Sequence, residues 1–208
     1  MSTICIFGDS IAWGASDFEK GGWVERLKVL MSENYDSDVY NLGVSSENTQ
    51  TILHRFESET RARIEEAEDV ILIFAIGIND SYFIHSKNGL MTPPEEFKTN
   101  IKKIAERAQA ISSKIIFVGL TPVEESKTTP IPWSPDKSYR NENVKQYDEI
   151  VKSICKDKNI YFIEIFNDWM RSDYKNLLED GLHPNSKGHK NIFEVVKNFL
   201  IKNKITKI

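Results

Sequence analysis

Ile4-Cys5-Ile6-Phe7-Gly8-Asp9-Ser10 joins a short apolar run to a glycine, a carboxylate and a hydroxyl residue. The uninterrupted apolar run predicts a strand that is buried on both faces, as in a parallel sheet. Ser10 then lies just beyond the carboxyl end of that strand, at the edge of the sheet where ligands bind. Ser10 is therefore a candidate nucleophile, although a serine after a strand is also a common N-cap or turn residue.

Four further apolar runs predict strands, and helical patterns separate them along the chain. The alternation predicts an α/β fold in which a parallel sheet, joined by right-handed crossovers, is covered by helices on both faces. The predicted strands are residues 3–7, 38–42, 70–75, 114–119 and 160–165. Apolar stripes typical of helices lie within residues 23–31, 101–111, 144–155 and 192–200, and a weaker, charged pattern covers 49–66.

Length and charge narrow the class of protein. The 208 residues are 40% hydrophobic, which is enough for one substantial core, and we expect a single domain over residues 1–208. The 31 acidic and 27 basic residues are spread without a large block of one sign, so nucleic acid is not an expected partner. The locally basic stretch 197–208 fits a solvated helix end better than a membrane anchor.

The ends and the cysteines predict the compartment. The apolar run at the N-terminus is too short for a signal peptide or a membrane span, so a cytoplasmic protein is the default, with secretion by another route left open. Cys5 and Cys155 are far apart and lie in apolar segments, which predicts buried thiols rather than a disulfide framework. The oligomeric state is open.

A second polar segment, Asp180-Gly181-Leu182-His183-Pro184, lies near the other end of the chain. A carboxylate three residues before an imidazole can hold its Nδ1–H and leave Nε2 as a base for Ser10. The segment also suits an ordinary surface loop, in which Asp180 caps a turn. His183 is accordingly a candidate base, with Asp180 as its partner.

Two more strand ends offer hydrogen-bond donors. Asn79 follows the third predicted strand, and its amide can donate to an oxyanion, although an Asx-turn is a common alternative there. Gly43 follows the second strand and allows close backbone approach, and it could equally be a turn glycine. With the N–H of Ser10 itself, these groups would supply three donors to a developing negative charge.

Substrate contacts are expected from the proline-rich stretch 121–140, the longest irregular segment, in which Trp133 and Tyr139 are candidates. Asp9 is a further candidate for substrate binding, and a brace for the loops by hydrogen bonding is its alternative role. His189, at the start of the last predicted helix, either shapes the site or packs in the first turn.

Two other functions fit the same strand ends. Asp9, Asn79, His183 and His189 could serve a metal-dependent phosphoesterase, but no Asp-x-His or His-x-His pair supports a metal site. A catalytically inert module that binds a small ligand or a glycan would keep the fold without the chemistry. Phosphate-binding glycine motifs and the G-x-S-x-G elbow are both missing from the sequence.

The motifs Gly8-Asp9-Ser10, Gly43, Gly77-x-Asn79-Asp80 and Asp180-x-x-His183, in this order, resemble those of the GDSL or SGNH hydrolase superfamily of esterases and lipases. The resemblance implies a flavodoxin-like, three-layer α/β/α fold with strand order 2-1-3-4-5. It also implies a catalytic triad of Ser10, His183 and Asp180, and an oxyanion hole formed by Ser10, Gly43 and Asn79. The expected reaction is hydrolysis of a small ester or thioester of a short acyl group through an acyl-enzyme, without a metal or cofactor.

The sequence departs from the family pattern in two places. Members often have Gly-x-Ser-Gly-x-x-Thr after the second strand, whereas Ser46 and then Glu47 follow Ser45 here. Tyr147-Asp148 also replaces a frequent Tyr-Asn pair in the helix before the last strand. Neither change touches the candidate catalytic groups, so both bear on substrate preference more than on activity.

Overall fold

The computed structural model describes residues 2–35, 37–64 and 69–206. Strands and helices alternate along most of the chain, as the sequence predicts. The strands are β1 Ser2–Gly8, β2 Ser37–Gly43, β3 Asp69–Ala75, β4 Phe83–Ile84, β5 Gly89–Leu90, β6 Lys114–Val118, β7 Lys137–Ser138 and β8 Tyr161–Ile163. The helices are α1 Ser10–Trp13, α2 Trp23–Asn34, α3 Thr49–Arg61, α4 Pro94–Gln109, α5 Glu125–Thr128, α6 Asn141–Asp157, α7 Phe166–Met170 and α8 Ser186–Lys202, with a 3-10 turn at Tyr174–Leu177.

Five strands form a parallel sheet in the order β2-β1-β3-β6-β8. Numbered by themselves, these strands have the order 2-1-3-4-5, so the predicted three-layer α/β/α class and topology are confirmed. All their carboxyl ends meet at one edge of the sheet, which we call the carboxyl edge. Loops from β1, β2, β3 and β6 leave the sheet there and approach one another.

The strand bounds differ from the predicted ones mainly at β8. Residues 160–165 were expected to be extended, but only Tyr161–Ile163 pair with β6, and α7 begins at residue 166. As an edge strand, β8 has a partner on one side only, so its length is set by that single ladder. The predicted 49–66 helix is observed as α3 over Thr49–Arg61, and residues 65 and 66 lie outside the described residues.

The register of the parallel strands aligns aromatic core residues across the sheet. Phe7 lies opposite Phe74, and Phe74 lies opposite Phe117, so the three rings form a row on one face. Phe7 and Phe74 stack with centroids 5.7 Å apart, and Phe56 of α3 meets both rings edge-on. The other face carries Ile6 and its neighbours, covered by α2 and α8. Helix α3 is thereby fixed on the sheet by aromatic packing.

A second sheet was not predicted. It is antiparallel, has the order β5-β4-β7, and its strands have only two residues each. Runs this short carry no periodic signal in the sequence. In the fold the small sheet joins the segment after β3 to the segment before α6, and both segments contribute to the carboxyl edge.

Cys5 and Cys155 are both buried, as predicted. Within the described ranges, none of the helices has the length and apolar character needed to cross a membrane.

Asp148 is a buried acid of helix α6. Its Oδ1 accepts the Leu120 N–H at 2.8 Å, and its Oδ2 is buried without a hydrogen-bond partner among the described residues. Burial raises the pKa of Asp148 from 3.8 to about 7, despite the hydrogen bond from Leu120. The folded protein therefore binds a proton on the Asp148 carboxyl more tightly than the unfolded chain does. The free energy of unfolding that this proton contributes is lost as the pH rises from about 4 to 7.

We expect Asp148→Asn to raise the free energy of unfolding by about 2 kcal/mol at pH 8, and by much less at pH 5, because asparagine accepts the same N–H without a charge. Urea unfolding between pH 5 and pH 8 measures the difference. The matched control is Asp157→Asn at the exposed end of the same helix, which should not change the pH dependence. Equal stability of Asp148→Asn and wild type at pH 8 would contradict the burial argument.

Candidate active site

Ser10 is the first residue of α1, and β1 turns into this helix within two residues. A Cβ on Gly8 would lie 2.5 Å from the Ala75 carbonyl oxygen and 2.6 Å from the Ala12 Cβ, so only glycine permits the turn. The Asp9 carboxylate caps the helix by accepting the Ile11 N–H at 2.8 Å. The Ser10 hydroxyl is therefore presented at the carboxyl edge by a tightly packed turn.

A chain of hydrogen bonds runs from Ser10 through His183 to Asp180. The Ser10 Oγ lies 3.0 Å from His183 Nε2, and His183 Nδ1 lies 2.7 Å from Asp180 Oδ2. Asp180 also accepts the backbone N–H of His183 at 2.8 Å through its other oxygen. A carboxylate only accepts, so Nδ1 carries the proton and Nε2 is free to accept the serine proton.

Asp180 is held in the ionised form. Burial by itself would raise its pKa, but the hydrogen bonds from the His183 side chain and backbone, with that of Leu182, bring the pKa below the usual value. The turn is fixed from outside as well, because Gly181 has a φ of 92° and its carbonyl accepts the Glu124 N–H at 2.8 Å. The structure thus brings three predicted site residues together in one linear arrangement.

Asn79 follows β3 and has both ends of its amide engaged. Its Oδ1 accepts the Tyr139 hydroxyl at 2.7 Å, and its Nδ2 donates to the Glu47 carbonyl oxygen at 2.9 Å. The second Nδ2 proton remains for a ligand. Next to it, Asp80 accepts the backbone N–H and the hydroxyl of Thr49 at the start of α3. Burial raises the pKa of Asp80 to about 6, although these hydrogen bonds favour its charged form.

Gly43 serves a packing role in this structure. A Cβ at Gly43 would collide with the Trp13 backbone nitrogen and lie 2.8 Å from the Ala12 carbonyl carbon, so β2 reaches α1 only because Gly43 has no side chain. Its N–H, predicted as an oxyanion donor, already donates to Asn41 Oδ1 at 3.1 Å. A ligand would have to replace that bond. Ser46, in the turn that follows, adopts a left-handed φ of 65°, a conformation that favours glycine.

Glu47, which is buried, and Arg55, which is partly exposed, form an ion pair that sequence reasoning missed. The Arg55 Nε donates to Glu47 Oε1 at 2.7 Å, and a second guanidinium nitrogen donates to the Leu42 carbonyl at 2.6 Å. The guanidinium also lies over the Phe7 ring, 5.5 Å from its centroid. These contacts fix the loop whose Glu47 carbonyl meets Asn79. No motif or periodicity could have found a pair set by the folding of α3 onto β2.

The three predicted substrate-binding residues have different environments. Trp133 is 54% exposed, and its indole stacks on the His183 ring with centroids 6.2 Å apart and an interplanar angle of 25°. Tyr139 is only 3% exposed and reaches Asn79 from inside the protein. Asp9 is buried, which raises its pKa to about 7 against the opposing effect of its Ile11 hydrogen bond. Of the three, only Trp133 faces solvent beside the Ser10–His183 pair.

His189 is buried and braces the loop after α1. Its Nε2 lies 2.8 Å from the Ala15 carbonyl oxygen, and its Nδ1 accepts the Trp23 N–H at 3.3 Å. Burial lowers the pKa of His189 despite the Ala15 contact, so the ring is neutral. With both ring nitrogens engaged by the backbone, His189 does not join Asp9, Asn79 and His183 as a ligand set. In residues 2–35, 37–64 and 69–206 no group of three or more His, Cys, Asp or Glu side chains is placed to hold a metal ion.

Comparison with known proteins agrees with the motif resemblance. The model of the GDSL-like lipase/acylhydrolase family matches residues 6–190. The GDSL esterase/lipase WDL1 of Oryza sativa subsp. japonica is 27% identical over 207 residues, covering 94% of this chain and 76% of that protein. A GDSL esterase/lipase of Arabidopsis thaliana is 28% identical over 193 residues, and this chain covers only 58% of its length.

Solved structures share the fold. A lipase/acylhydrolase from Enterococcus faecalis superimposes with a TM-score of 0.76 at 18% identity, covering 98% of this chain and 97% of that one. An acetyl xylan esterase from Geobacillus stearothermophilus gives a TM-score of 0.71 at 21% identity, covering 100% of this chain and 96% of that one. At these identities the likeness establishes the fold alone.

We expect Gly43→Ala to lower the free energy of unfolding by about 1–3 kcal/mol, because the new methyl group must displace the α1 backbone. Gly89→Ala is the matched control, since the nearest atom to its Cβ would be 3.7 Å away. Urea or thermal unfolding of both variants makes the comparison. Equal effects of the two substitutions would show that α1 does not need the close approach of β2.

Proposed function

This chain belongs to the GDSL-like lipase/acylhydrolase family, and on that premise we propose that it hydrolyses carboxylic esters through an acyl-enzyme on Ser10. His183 is the proposed base and Asp180 its partner. The observation that carries the proposal is the continuous hydrogen-bonded chain Ser10–His183–Asp180, with distances of 3.0 and 2.7 Å. The cytoplasmic location and the single domain over residues 1–208 stay predictions from the sequence.

In the proposed acylation step, His183 Nε2 removes the Ser10 proton as Oγ attacks the ester carbonyl carbon. The imidazolium that forms is stabilised by the ionised Asp180, which keeps the ring in its orientation. His183 then gives the proton to the departing alkoxide, and the C–O bond of the ester breaks. Water, activated by the same imidazole, attacks the acyl-serine and releases the carboxylic acid with Ser10 restored.

The negative charge on the tetrahedral intermediate needs donors that are already in place. The Ser10 N–H is the first amide of α1, where helix geometry provides no partner within the helix. The free Nδ2 proton of Asn79 is the second proposed donor. Gly43 remains a proposed third donor, and its contribution requires the N–H to leave Asn41 Oδ1. Removing one such donor typically costs about 10²–10³ in kcat.

We further propose a preference for short acyl groups. Support comes from a structural neighbour, the acetyl xylan esterase from Geobacillus stearothermophilus, whose name specifies an acetyl ester. In this chain, Trp133 covers one face of the His183 ring. We expect an acetyl or propionyl group to be accommodated beside Trp133, whereas a long chain would have to lie across the surface.

We expect a fluorophosphonate probe to add once to the wild-type protein and not to Ser10→Ala, as measured by intact mass. Ser10→Ala and His183→Ala should each lower kcat by about 10⁶-fold, because the nucleophile or its base is lost. Asp180→Asn should lower kcat by about 10⁴-fold. The oxyanion donors remain in all three variants and account for the residual rate. Circular dichroism checks that the variants are folded. Absence of an adduct on folded wild type would favour an inert binding module, and full activity of Ser10→Ala would exclude the assigned nucleophile.

A series of p-nitrophenyl esters tests the acyl preference. We expect kcat/KM for acetate and butyrate to exceed that for octanoate at least about 10-fold, because each group that cannot be accommodated loses differential binding in the transition state. Trp133→Ala should narrow this difference by opening the face of His183. A higher kcat/KM for octanoate or longer esters would overturn the proposed preference while leaving the serine mechanism intact.

A further inference from the structure

Two aromatic residues of the 121–140 segment contact the site, one exposed and the other buried. Trp133 stacks on His183 in solvent, and Tyr139 contacts Asn79 inside the protein. The proposed base and the proposed oxyanion donor are thus both touched by one segment. Tyr139 was expected to contact substrate, but its burial leaves it no access to one. Its hydroxyl instead donates a hydrogen bond to Asn79.

An asparagine amide can face a site in two ways that differ by a half-turn, and only one of them presents the donor. At Asn79 the Glu47 carbonyl can only accept, so it selects the orientation with Nδ2 beside it. A Tyr139 hydroxyl that donates to Oδ1 selects the same orientation. A half-turn of the amide would bring Oδ1 against the Glu47 oxygen, and the Tyr139 hydroxyl would have to accept from Nδ2 instead of donating to Oδ1.

The Tyr139 hydroxyl stays a donor because burial raises its pKa well above the usual value. The backbone around it is also fixed. The Tyr139 N–H donates to the Thr128 carbonyl at 2.9 Å, and its own carbonyl accepts the Thr128 and Thr129 hydroxyls at 3.0 Å each. One residue earlier, Ser138 pairs with Phe83 in the small sheet. That sheet ties the 121–140 segment to the segment that carries Asn79.

We propose that Tyr139 is a positioning residue for ester hydrolysis: its hydroxyl locks the Asn79 amide with Nδ2 directed to the oxyanion. The inference rests on the proposed function, in which Asn79 is an oxyanion donor. Preorganised donors are effective because they need no reorganisation when charge develops. Without the hydroxyl, Oδ1 loses a buried partner, and the amide is held by the Glu47 contact alone.

The test variant is Tyr139→Phe, which removes one hydroxyl and keeps the ring. We expect kcat for a p-nitrophenyl ester to fall about 10-fold with KM changed less than about twofold, because the substrate itself does not touch Tyr139. In an Asn79→Ala background the same substitution should change kcat by less than about twofold. A purely structural role for Tyr139 predicts similar losses in both backgrounds, and that outcome would overturn the proposal.

Tyr82→Phe is the matched control. The Tyr82 ring meets Tyr139 edge-on at 5.4 Å, and its hydroxyl makes no hydrogen bond recorded among the described residues. This variant alters the same aromatic contact without touching Asn79, and its kcat should stay within about twofold of wild type. A loss in Tyr82→Phe as large as that in Tyr139→Phe would assign the effect to ring packing and contradict the inference.

Wild-type measurements separate this inference from the proposed function and do not require the variant to fold. Fluorophosphonate labelling of Ser10 tests the nucleophile alone. Relaxation of the ¹⁵N-labelled Asn79 side-chain amide tests the lock, and we expect it to be as rigid as the backbone of β3. Labelling of Ser10 together with a freely rotating Asn79 amide would overturn the role of Tyr139 and leave the serine mechanism standing. Absence of labelling would remove the proposed function itself.

Discussion

Close packing of helix α1 against the ends of strands β1 and β2 is the constraint on which the site depends. Gly8 permits β1 to turn beside Ala75 of β3, and Gly43 permits β2 to touch the backbone of α1. Both contacts are steric and depend only on the missing Cβ atoms of the two glycines. Because these contacts fix the position of α1, the hydroxyl of Ser10, its first residue, lies at a fixed point of the carboxyl edge. The motif glycines therefore act on the chemistry through geometry.

Several buried acidic groups lie in the region of Ser10, and the fold shifts their pKa values in different directions. Asp180 is ionised because His183 and two backbone N–H groups meet it, whereas burial raises the pKa of Asp9 to about 7 and that of Asp80 to about 6. Glu47 is paired with Arg55 inside the same region. Such groups cost folding free energy unless they are paired or neutral. That cost is incurred at Asp9 and Asp80, whose carboxylates cap α1 and α3 and orient the loops of the site.

The 121–140 segment and the small antiparallel sheet extend the framework beyond the parallel sheet. The turn after Asp180 packs on α5 through the Glu124–Gly181 hydrogen bond, and Tyr139 reaches Asn79. A segment without long regular elements thus contacts both the proposed acid–base pair and the candidate oxyanion donor. Its irregular backbone is stabilised by these specific hydrogen bonds more than by secondary structure. Movement of this segment would change the contacts of both His183 and Asn79.

The sequence by itself determined the fold class and the candidate residues Ser10, Asn79, Asp180 and His183, while the strand order was implied by the family resemblance. Buried strands and amphipathic helices leave periodic patterns, and the Asp180–His183 contact spans only three residues, so both are recorded locally. Tertiary structure alone decided which groups meet across the chain. Ser10 and His183 are 173 residues apart, and Tyr139 and Asn79 are 60 apart. The short β8 and the buried Tyr139 follow from topology, because neither the ladder at the edge of a sheet nor the distant partner of a polar side chain leaves a local mark in the sequence.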